Sequence, residues 1–156
     1  MKIKIISVGK TKEKYWQMAE ADYAKRIQHY AELQQVSVKE ASLDTLKNNE
    51  LVKQTEANKI QEKIRKEEYV VALDKSGIQM DSEKLAEFFQ KKILHGNNRI
   101  NFIIGGPLGL PDDFLNQSDM TLSLSRMTFP HEMTKVILLE QIYRAFSILH
   151  GEKYHK

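Results

Sequence analysis

The sequence contains no cysteine among its 156 residues. This absence excludes disulfide bonds, thiolate zinc sites and cysteine nucleophiles, and it fits a reducing compartment. The histidines supply no metal-binding pattern either, because no two of them have the HExxH spacing. They lie at positions 29, 95, 131, 150 and 155. The sequence therefore predicts no bound metal.

Long apolar runs are also missing. The amino-terminal segment MKIKIISVGK has a short apolar stretch with no small-residue cleavage site after it, which indicates a strand rather than a signal peptide. No other stretch approaches the roughly 20 apolar residues that cross a bilayer. We therefore expect a cytoplasmic protein without a membrane segment.

The excess of positive charge is small. The formal net charge is +3, whereas proteins that bind nucleic acid through bulk electrostatics are usually more basic. The excess lies in the first half of the chain, where several lysines crowd the first strand and the turn after it: Lys2, Lys4, Lys10, Lys12 and Lys14. These lysines suit either a solvated helix start or part of a nucleic-acid surface.

The chain does contain a regular alternation of strand-like and helix-like segments. Short apolar or alternating runs predict strands at 3–8, 34–38, 69–73, 100–104 and 120–124. Helical apolar spacing predicts helices at 12–30, 44–66, 83–94 and 130–150, with a DKSG turn after residue 73 and a short helix after Pro111. Asp81 or Ser82 can cap the third of these helices, and Gly96 can end it. The pattern predicts one α/β domain over residues 1–156, with a mostly parallel sheet and helices on both faces.

The last predicted helix is apolar on more than one stripe. A helix that covers the outside of a sheet needs only one apolar face. The apolar positions lie on more than one stripe: Met133, Val136, Ile137, Leu138, Leu139, Ile142, Tyr143, Ala145, Phe146, Ile148 and Leu149. We expect the second face to form a subunit interface; the alternative is a helix buried inside a large core.

Three predicted strands end in segments that suit a ligand site. In an open parallel sheet, ligands bind past the carboxyl ends of the strands. The segments are Leu73–Gly77, Ile104–Leu110 and Leu124–Pro130. The GGPLG sequence of the second is neither a GxGxxG nor a P-loop motif. Its bare backbone can approach a flat ligand closely, or it can simply turn the chain from strand to helix.

The third segment, LSRMTFPH, places polar groups at the mouth of the last helix. Ser125 and Thr128 can contact a ligand or cap that helix, and capping is the commoner use. Arg126 can meet phosphate or solvent, and His131 is expected to be an exposed first-turn residue rather than a base. A GxSxG elbow is absent from the sequence, and the adjacent Asp112 and Asp113 look like a helix start. The carboxyl-terminal Tyr154, His155 and Lys156 suit stacking on a base and contact with phosphates, although chain ends commonly fray.

Several motifs together resemble one known family. IGGPLGL follows a strand, LSRMTFPHEM precedes the final helix, EQIYRAF lies within that helix, and YHK ends the chain. In this order and spacing they resemble the RlmH family, the ribosomal large-subunit pseudouridine N3-methyltransferases of the SPOUT superfamily. The VGK sequence near the amino terminus and the length of the chain also match this family, so the resemblance covers the whole sequence.

The resemblance implies a fold, a cofactor and a partner. The fold would be α/β with a deep trefoil knot near the carboxyl terminus, a feature that periodicity cannot predict. The knot loops would bind S-adenosylmethionine through Leu73, Gly105, Leu124, Ser125, Arg126, Met127, Thr128 and Phe129. The protein would be a homodimer through its last helix, acting on ribosomal RNA without a metal.

The resemblance also implies a composite active site, in which one subunit holds the cofactor and the other lends its carboxyl-terminal tail. Arg144, Tyr154 and His155 match positions that engage the substrate, and His155 is the candidate general base. The family often has arginine where this chain has Lys156, which keeps the charge but loses the planar fork.

Three other functions are compatible with parts of the sequence. A SPOUT methyltransferase acting on transfer RNA would carry the same loops, although the YHK tail favours the ribosomal branch. A non-catalytic RNA-binding or ribosome-assembly module would bind RNA without the cofactor. A small-nucleotide sensor would bind the cofactor without transferring a methyl group.

Overall fold

The first strand shows how the sequence builds the fold. The computed structural model describes residues 1–155, apart from the side chain of His155. In β1 (Lys2–Val8), Ile3 and Ile5 join one hydrophobic core, whereas Ile6 and Val8 join a second core on the other side of the sheet. Apolar side chains on both faces are characteristic of a strand that is covered on both sides.

Four further strands complete a parallel sheet. They are β2 (Glu32–Val38), β3 (Tyr69–Gln79), β4 (Arg99–Ile104) and β5 (Met120–Ser123), in the order β2-β1-β4-β3-β5. Every pair in this order is parallel. The prediction of a parallel sheet is thus confirmed. The trefoil knot implied by the family resemblance remains a prediction.

Helices cover both faces of the sheet, as predicted. On one face lie α1 (Lys14–Ile27), α4 (Ser82–Leu94) and α6 (His131–Leu149), which enclose the larger core. On the other face lie α3 (Asn49–Gln61) and α5 (Asp112–Gln117), while the single-turn α2 (Leu43–Leu46) packs against α3. A 3₁₀ turn, Lys153–His155, follows α6.

Two element predictions were wrong. The predicted helix 44–66 is two helices, because Lys47 adopts a left-handed φ of 51° and Asn48 starts a new helix by accepting a hydrogen bond from the Leu51 amide. The predicted turn at 74–77 lies within β3. There the pairing register with β5 shifts between Leu73 and Ile78, and the strand resumes.

The remaining helix predictions need small adjustments at their ends. The amino terminus of α4 follows the prediction, since the Asp81 side chain accepts a 2.7 Å hydrogen bond from the Lys84 amide. The carboxyl terminus of α4 also follows the prediction, since Gly96, just after the end of the helix, has a φ of +74°. The first helix runs over 14–27 rather than 12–30, because residues 9–13 form a loop.

The doubled apolar face of α6 is partly explained within one chain. This helix packs against α1 on one side and α4 on the other, as well as over the sheet. Phe146 stacks on Phe89 at 5.0 Å and on Tyr30 at 5.8 Å between ring centroids. Other apolar side chains of α6 stay only partly buried: Met133, Val136, Ile137, Tyr143, Ile148 and Leu149. None of the helices in the described part of the chain is both long and apolar enough to cross a membrane.

Candidate functional site

A cavity of about 580 Å³ lies at the bulge of β3 and at the ends of β4 and β5. It falls in the 300–1,000 Å³ range of small-molecule and cofactor sites. Its walls are the three strand-end segments identified in the sequence, together with the first turn of α6: residues 73–75, 104–109, Leu122, 124–125, 127–131 and Thr134. The prediction that these three segments meet in space is confirmed.

The glycine-rich loop after β4 closes on itself. Gly106 pairs with Gly109, whose amide donates a 2.9 Å hydrogen bond to the Gly106 carbonyl, and Gly109 has a φ of +81°. A Cβ on Gly105 would lie 2.9 Å from the Gly109 backbone carbon and 3.0 Å from Leu110. Gly105 is therefore needed for the loop's own packing. A valine there would deform the loop in addition to any obstruction of the cavity.

The segment after Leu73 forms a bulge at the cavity wall. The Asp74 carboxylate accepts hydrogen bonds from the Ser76 amide at 2.8 Å and the Ser76 hydroxyl at 2.6 Å. A Cβ on Gly77 would lie 2.6 Å from the Thr121 backbone, so only glycine permits this approach of β3 to β5. Asp74 and Lys75 line the cavity beside Leu73. The sequence analysis included both in the segment Leu73–Gly77, whereas the cofactor positions implied by the family resemblance include only Leu73.

Ser125 stabilises the loop between β5 and α6. Its hydroxyl oxygen accepts a 3.0 Å hydrogen bond from the Met127 amide, and its carbonyl accepts one from the Ser123 hydroxyl. Neither Ser125 nor Thr128 caps α6, whose N-cap is Pro130 without a side-chain hydrogen bond. The capping alternative is thus wrong for both residues.

The eight sequence-predicted cofactor positions are not equivalent in the structure. Seven of them line the cavity: Leu73, Gly105, Leu124, Ser125, Met127, Thr128 and Phe129. Arg126 is exposed and is not among the lining residues.

His131 does not have the exposed position that the sequence suggested. It lies half-buried in the first turn of α6 and lines the cavity. Burial lowers its pKa and nearby Lys135 adds to this effect, while the Val8 carbonyl opposes it. The ring is therefore neutral at physiological pH and can donate one hydrogen bond and accept another.

The predicted substrate residues Arg144 and Tyr154 lie together, away from the cavity. The Arg144 guanidinium lies 4.8 Å from the Tyr154 ring centroid, and the Tyr154 hydroxyl donates a 3.2 Å hydrogen bond to Glu140. The Tyr143 ring meets the Tyr154 ring edge-on at 4.7 Å. Burial and the neighbouring Tyr23 and Glu140 raise the pKa of Tyr154, so its hydroxyl stays protonated. The side chain of His155 and all of Lys156 lie outside the described residues.

The length of α6 separates these two groups of residues. His131 and Arg144 are 13 positions apart in one continuous helix, which corresponds to about 20 Å along the axis. The chain therefore brings the cavity residues together and the tail residues together, but not the two groups with each other. Within residues 1–155, no cluster of three or more His, Asp or Glu side chains is arranged to hold a metal.

Comparisons with known proteins show the family to which the chain belongs. A family model described as a predicted SPOUT methyltransferase matches residues 1–155. A ribosomal RNA large subunit methyltransferase H from Acetivibrio thermocellus is 41% identical over 160 residues and covers 100% of both chains. Its counterpart from Clostridium acetobutylicum is 43% identical over 159 residues, again with 100% of both chains covered.

A solved structure shares the fold at low sequence identity. It is a probable methylase family protein from Haemophilus influenzae, with a TM-score of 0.52 and 10% identity. The alignment covers 99% of this chain and 70% of that one. Because the family model spans residues 1–155 and the relatives are 41% and 43% identical along their full length, this chain belongs to the SPOUT methyltransferases and, among them, to the ribosomal RNA large subunit methyltransferase H family.

Proposed function

We propose that this chain methylates the N3 position of a pseudouridine in 23S ribosomal RNA of the large subunit, using S-adenosylmethionine. The curated relatives that match it over their full length are named as large-subunit ribosomal RNA methyltransferases. The observation that carries the proposal is the cavity between the three segments at β3, β4 and β5, because seven of the eight positions that the family resemblance implies for the cofactor line it.

The cavity fits S-adenosylmethionine in size and chemistry. Its volume of about 580 Å³ suits a ligand of nucleoside size. A Cβ on Gly109 would meet no atom within 4 Å, so a flat ring can lie against the bare backbone there. Leu73, Leu124, Met127 and Phe129 supply apolar surface, while Gly105, Ser125 and Thr128 supply polar groups. When bound, the cofactor supplies a methyl group that its sulfonium has already activated.

The protein's own contribution is then alignment and removal of a proton. An activated donor needs the acceptor nitrogen held in line, and the N3 proton must leave. We propose Arg144 and Tyr154 as residues that position the RNA, and His155 as the base that accepts the proton. We propose that Arg126, which is exposed, contacts the cofactor edge or the substrate phosphates.

These roles require a second copy of the chain. About 20 Å of α6 separates the cavity from Arg144 and Tyr154 in one subunit. A homodimer that places α6 against the partner's α6 in antiparallel fashion brings the tail of one chain to the cavity of the other. Partly buried apolar residues on α6, such as Val136 and Ile137, supply surface for that contact. We propose this composite site within a single 1–156 domain, knotted at its carboxyl-terminal end and located in the cytoplasm.

The direct test is methyl transfer by the purified protein. Large ribosomal subunits that lack the modification, free 23S RNA and transfer RNA are each incubated with methyl-labelled S-adenosylmethionine. We expect label at one pseudouridine of 23S RNA and none in transfer RNA. Label in transfer RNA alone would establish the transfer-RNA methyltransferase instead. RNA binding without cofactor binding would indicate an assembly module, and cofactor binding without transfer to any RNA would indicate a sensor.

A further inference from the structure

The loop between β1 and α1 presents a cluster of exposed lysines. Lys10, Lys12 and Lys14 are exposed, and within residues 1–155 none of the three ammonium groups forms an ion pair. Other lysines of the chain do form such pairs, for example Lys4 with Glu68 at 3.1 Å and Lys135 with Glu20 at 3.2 Å. Within five residues of sequence, the loop therefore offers three exposed ammonium groups that form no ion pair in the described part of the chain, with the carboxylates of Glu13 and Glu132 nearby.

This loop is anchored rather than loose. The Glu132 carboxylate, in the first turn of α6, accepts hydrogen bonds from the Lys12 amide at 2.8 Å and the Glu13 amide at 3.3 Å. The Thr11 hydroxyl donates to Glu20, which is buried with Lys135. Because the backbone bonds hold the loop, the lysine side chains project from a fixed position.

The loop adjoins the cavity. β1 and β4 are neighbours and parallel, so the residues after Val8 and after Ile104 lie at the same edge of the sheet. A Cβ on Gly106 would lie 3.2 Å from a Val8 methyl group, which shows how closely the two strand ends approach. Glu132, which holds the lysine loop, comes directly after the lining residue His131. The lysine loop therefore stands beside one wall of the cavity.

We infer that Lys10, Lys12 and Lys14 bind the phosphodiester backbone of the RNA that delivers its base to the cavity. This inference rests on the proposed function and specifies where its substrate lies. Lysine ammonium groups contact phosphates as point charges and fix the position of a nucleic acid without reading its sequence. A modest net charge of +3 does not prevent such contact, because a few lysines at one place can bind phosphates locally.

The chain supplies a matched control at the opposite edge of the sheet. Lys63 and Lys66 precede β3, and Lys91 lies in the last turn of α4 before β4; all three are exposed. The six residues of β4 separate the two edges by about 20 Å. The triple variants Lys10→Gln/Lys12→Gln/Lys14→Gln and Lys63→Gln/Lys66→Gln/Lys91→Gln therefore remove the same charge from different places.

The experiment measures large-subunit binding as a function of salt, without cofactor, and then methyl transfer. For the loop variant we expect binding weaker by about tenfold or more at moderate salt. The slope of log affinity against log salt should fall by about 1 for each lysine that contacts a phosphate. Its KM for large subunits should rise in proportion, with S-adenosylmethionine affinity unchanged. The control variant should keep the native slope and KM.

Each other outcome overturns the inference. An equal loss of large-subunit affinity in both variants would mean that only the total charge of the protein matters. An unchanged salt dependence of binding in the loop variant would mean that the RNA contacts another part of the protein. Weaker cofactor binding in the loop variant would assign the lysines to the cofactor. Because binding is measured separately from catalysis, a native protein that binds large subunits but transfers no methyl group refutes the proposed function and not this surface.

Discussion

At the residue scale, Glu56 is a buried carboxyl group that the proposed chemistry does not use. It is 3% exposed; its Oε1 accepts a 2.9 Å hydrogen bond from the Ala41 amide, and its Oε2 has no partner among the described residues. The Oε2 atom lies under the glycine-rich loop, 2.6 Å from where a Cβ on Gly106 would be. Burial raises the pKa of Glu56, and Glu40 adds to this, while the Ala41 amide and Lys59 oppose it.

A raised carboxyl pKa makes stability fall as pH increases. Between the unfolded and folded pKa values, the folded chain retains a proton that the unfolded chain has released. We therefore expect the free energy of unfolding of the native protein to fall relative to that of Glu56→Gln as pH rises from about 4.5. Urea denaturation of both proteins from pH 4.5 to 8 measures this difference. Parallel curves would show that Glu56 ionises normally in the folded state.

Mutation can distinguish the roles of His155, the proposed general base, and His131, which lines the cavity. Loss of a general base typically costs 10²- to 10⁴-fold in rate. We expect His155→Asn to reduce single-turnover methyl transfer by a factor in that range. His131→Asn should retain most of the rate, because asparagine can replace the hydrogen bonds of a neutral ring. The opposite ranking would assign the proton transfer to His131, which is the histidine that lines the cavity.

Residue-level prediction from sequence worked where a position depends on its immediate neighbours. Gly105 and Ser125 follow the ends of β4 and β5, and the direction of these strands places them at the cavity. The burial of His131 was not predictable in this way. It depends on the end of β1 and the loop after it, which are more than a hundred residues away in sequence and are tied to α6 through Glu132.

At the element scale, α6 forms one wall of the cavity and offers a rigid place to test the site. Thr134 lines the cavity from the first turns of this helix. We expect Thr134→Trp to fill part of the cavity and to weaken S-adenosylmethionine binding by about 10²-fold or more, roughly 3 kcal/mol. Isothermal calorimetry measures the affinity. Thr45→Trp, at an exposed threonine of α2, should bind like the native protein. Unaltered binding by Thr134→Trp would move the cofactor out of this cavity.

Two elements show which features of the fold the sequence pattern does not predict. The helical spacing of 44–66 is continuous, yet Lys47 in a left-handed conformation and the Asn48 cap divide it. The DKSG sequence looks like a turn, but β3 continues through it because Gly77 lets the chain pass against the Thr121 backbone. Both features arise from local conformations or distant contacts that apolar periodicity does not register.

At the scale of the whole molecule, the composite site predicts complementation between two inactive chains. Deletion of residues 154–156 should leave cofactor binding intact, because Tyr154 packs against Tyr143 and Glu140 far from the cavity. It should cost some stability through the loss of those contacts and should abolish methyl transfer. Mixed with Thr134→Trp, the truncated chain supplies a working cavity while its partner supplies the tail.

Sedimentation should first confirm a dimer at micromolar concentration for the native protein and for the mixture. Transfer activity should then return to roughly a quarter of the native level, because half of randomly paired subunits form heterodimers and each heterodimer has one complete site. If heterodimers form and the mixture stays inactive, the tail does not act across the interface.

The central claim is that this chain places one methyl group on large-subunit ribosomal RNA. Mass spectrometry of 23S RNA fragments from a strain lacking the gene tests it most directly, with the native and the 154–156-deleted genes reintroduced separately. We expect one pseudouridine-containing fragment to lose a single methyl group in the deletion strain. The native gene should restore that methyl group and the truncated gene should not. An unchanged methylation pattern in the deletion strain would contradict the account.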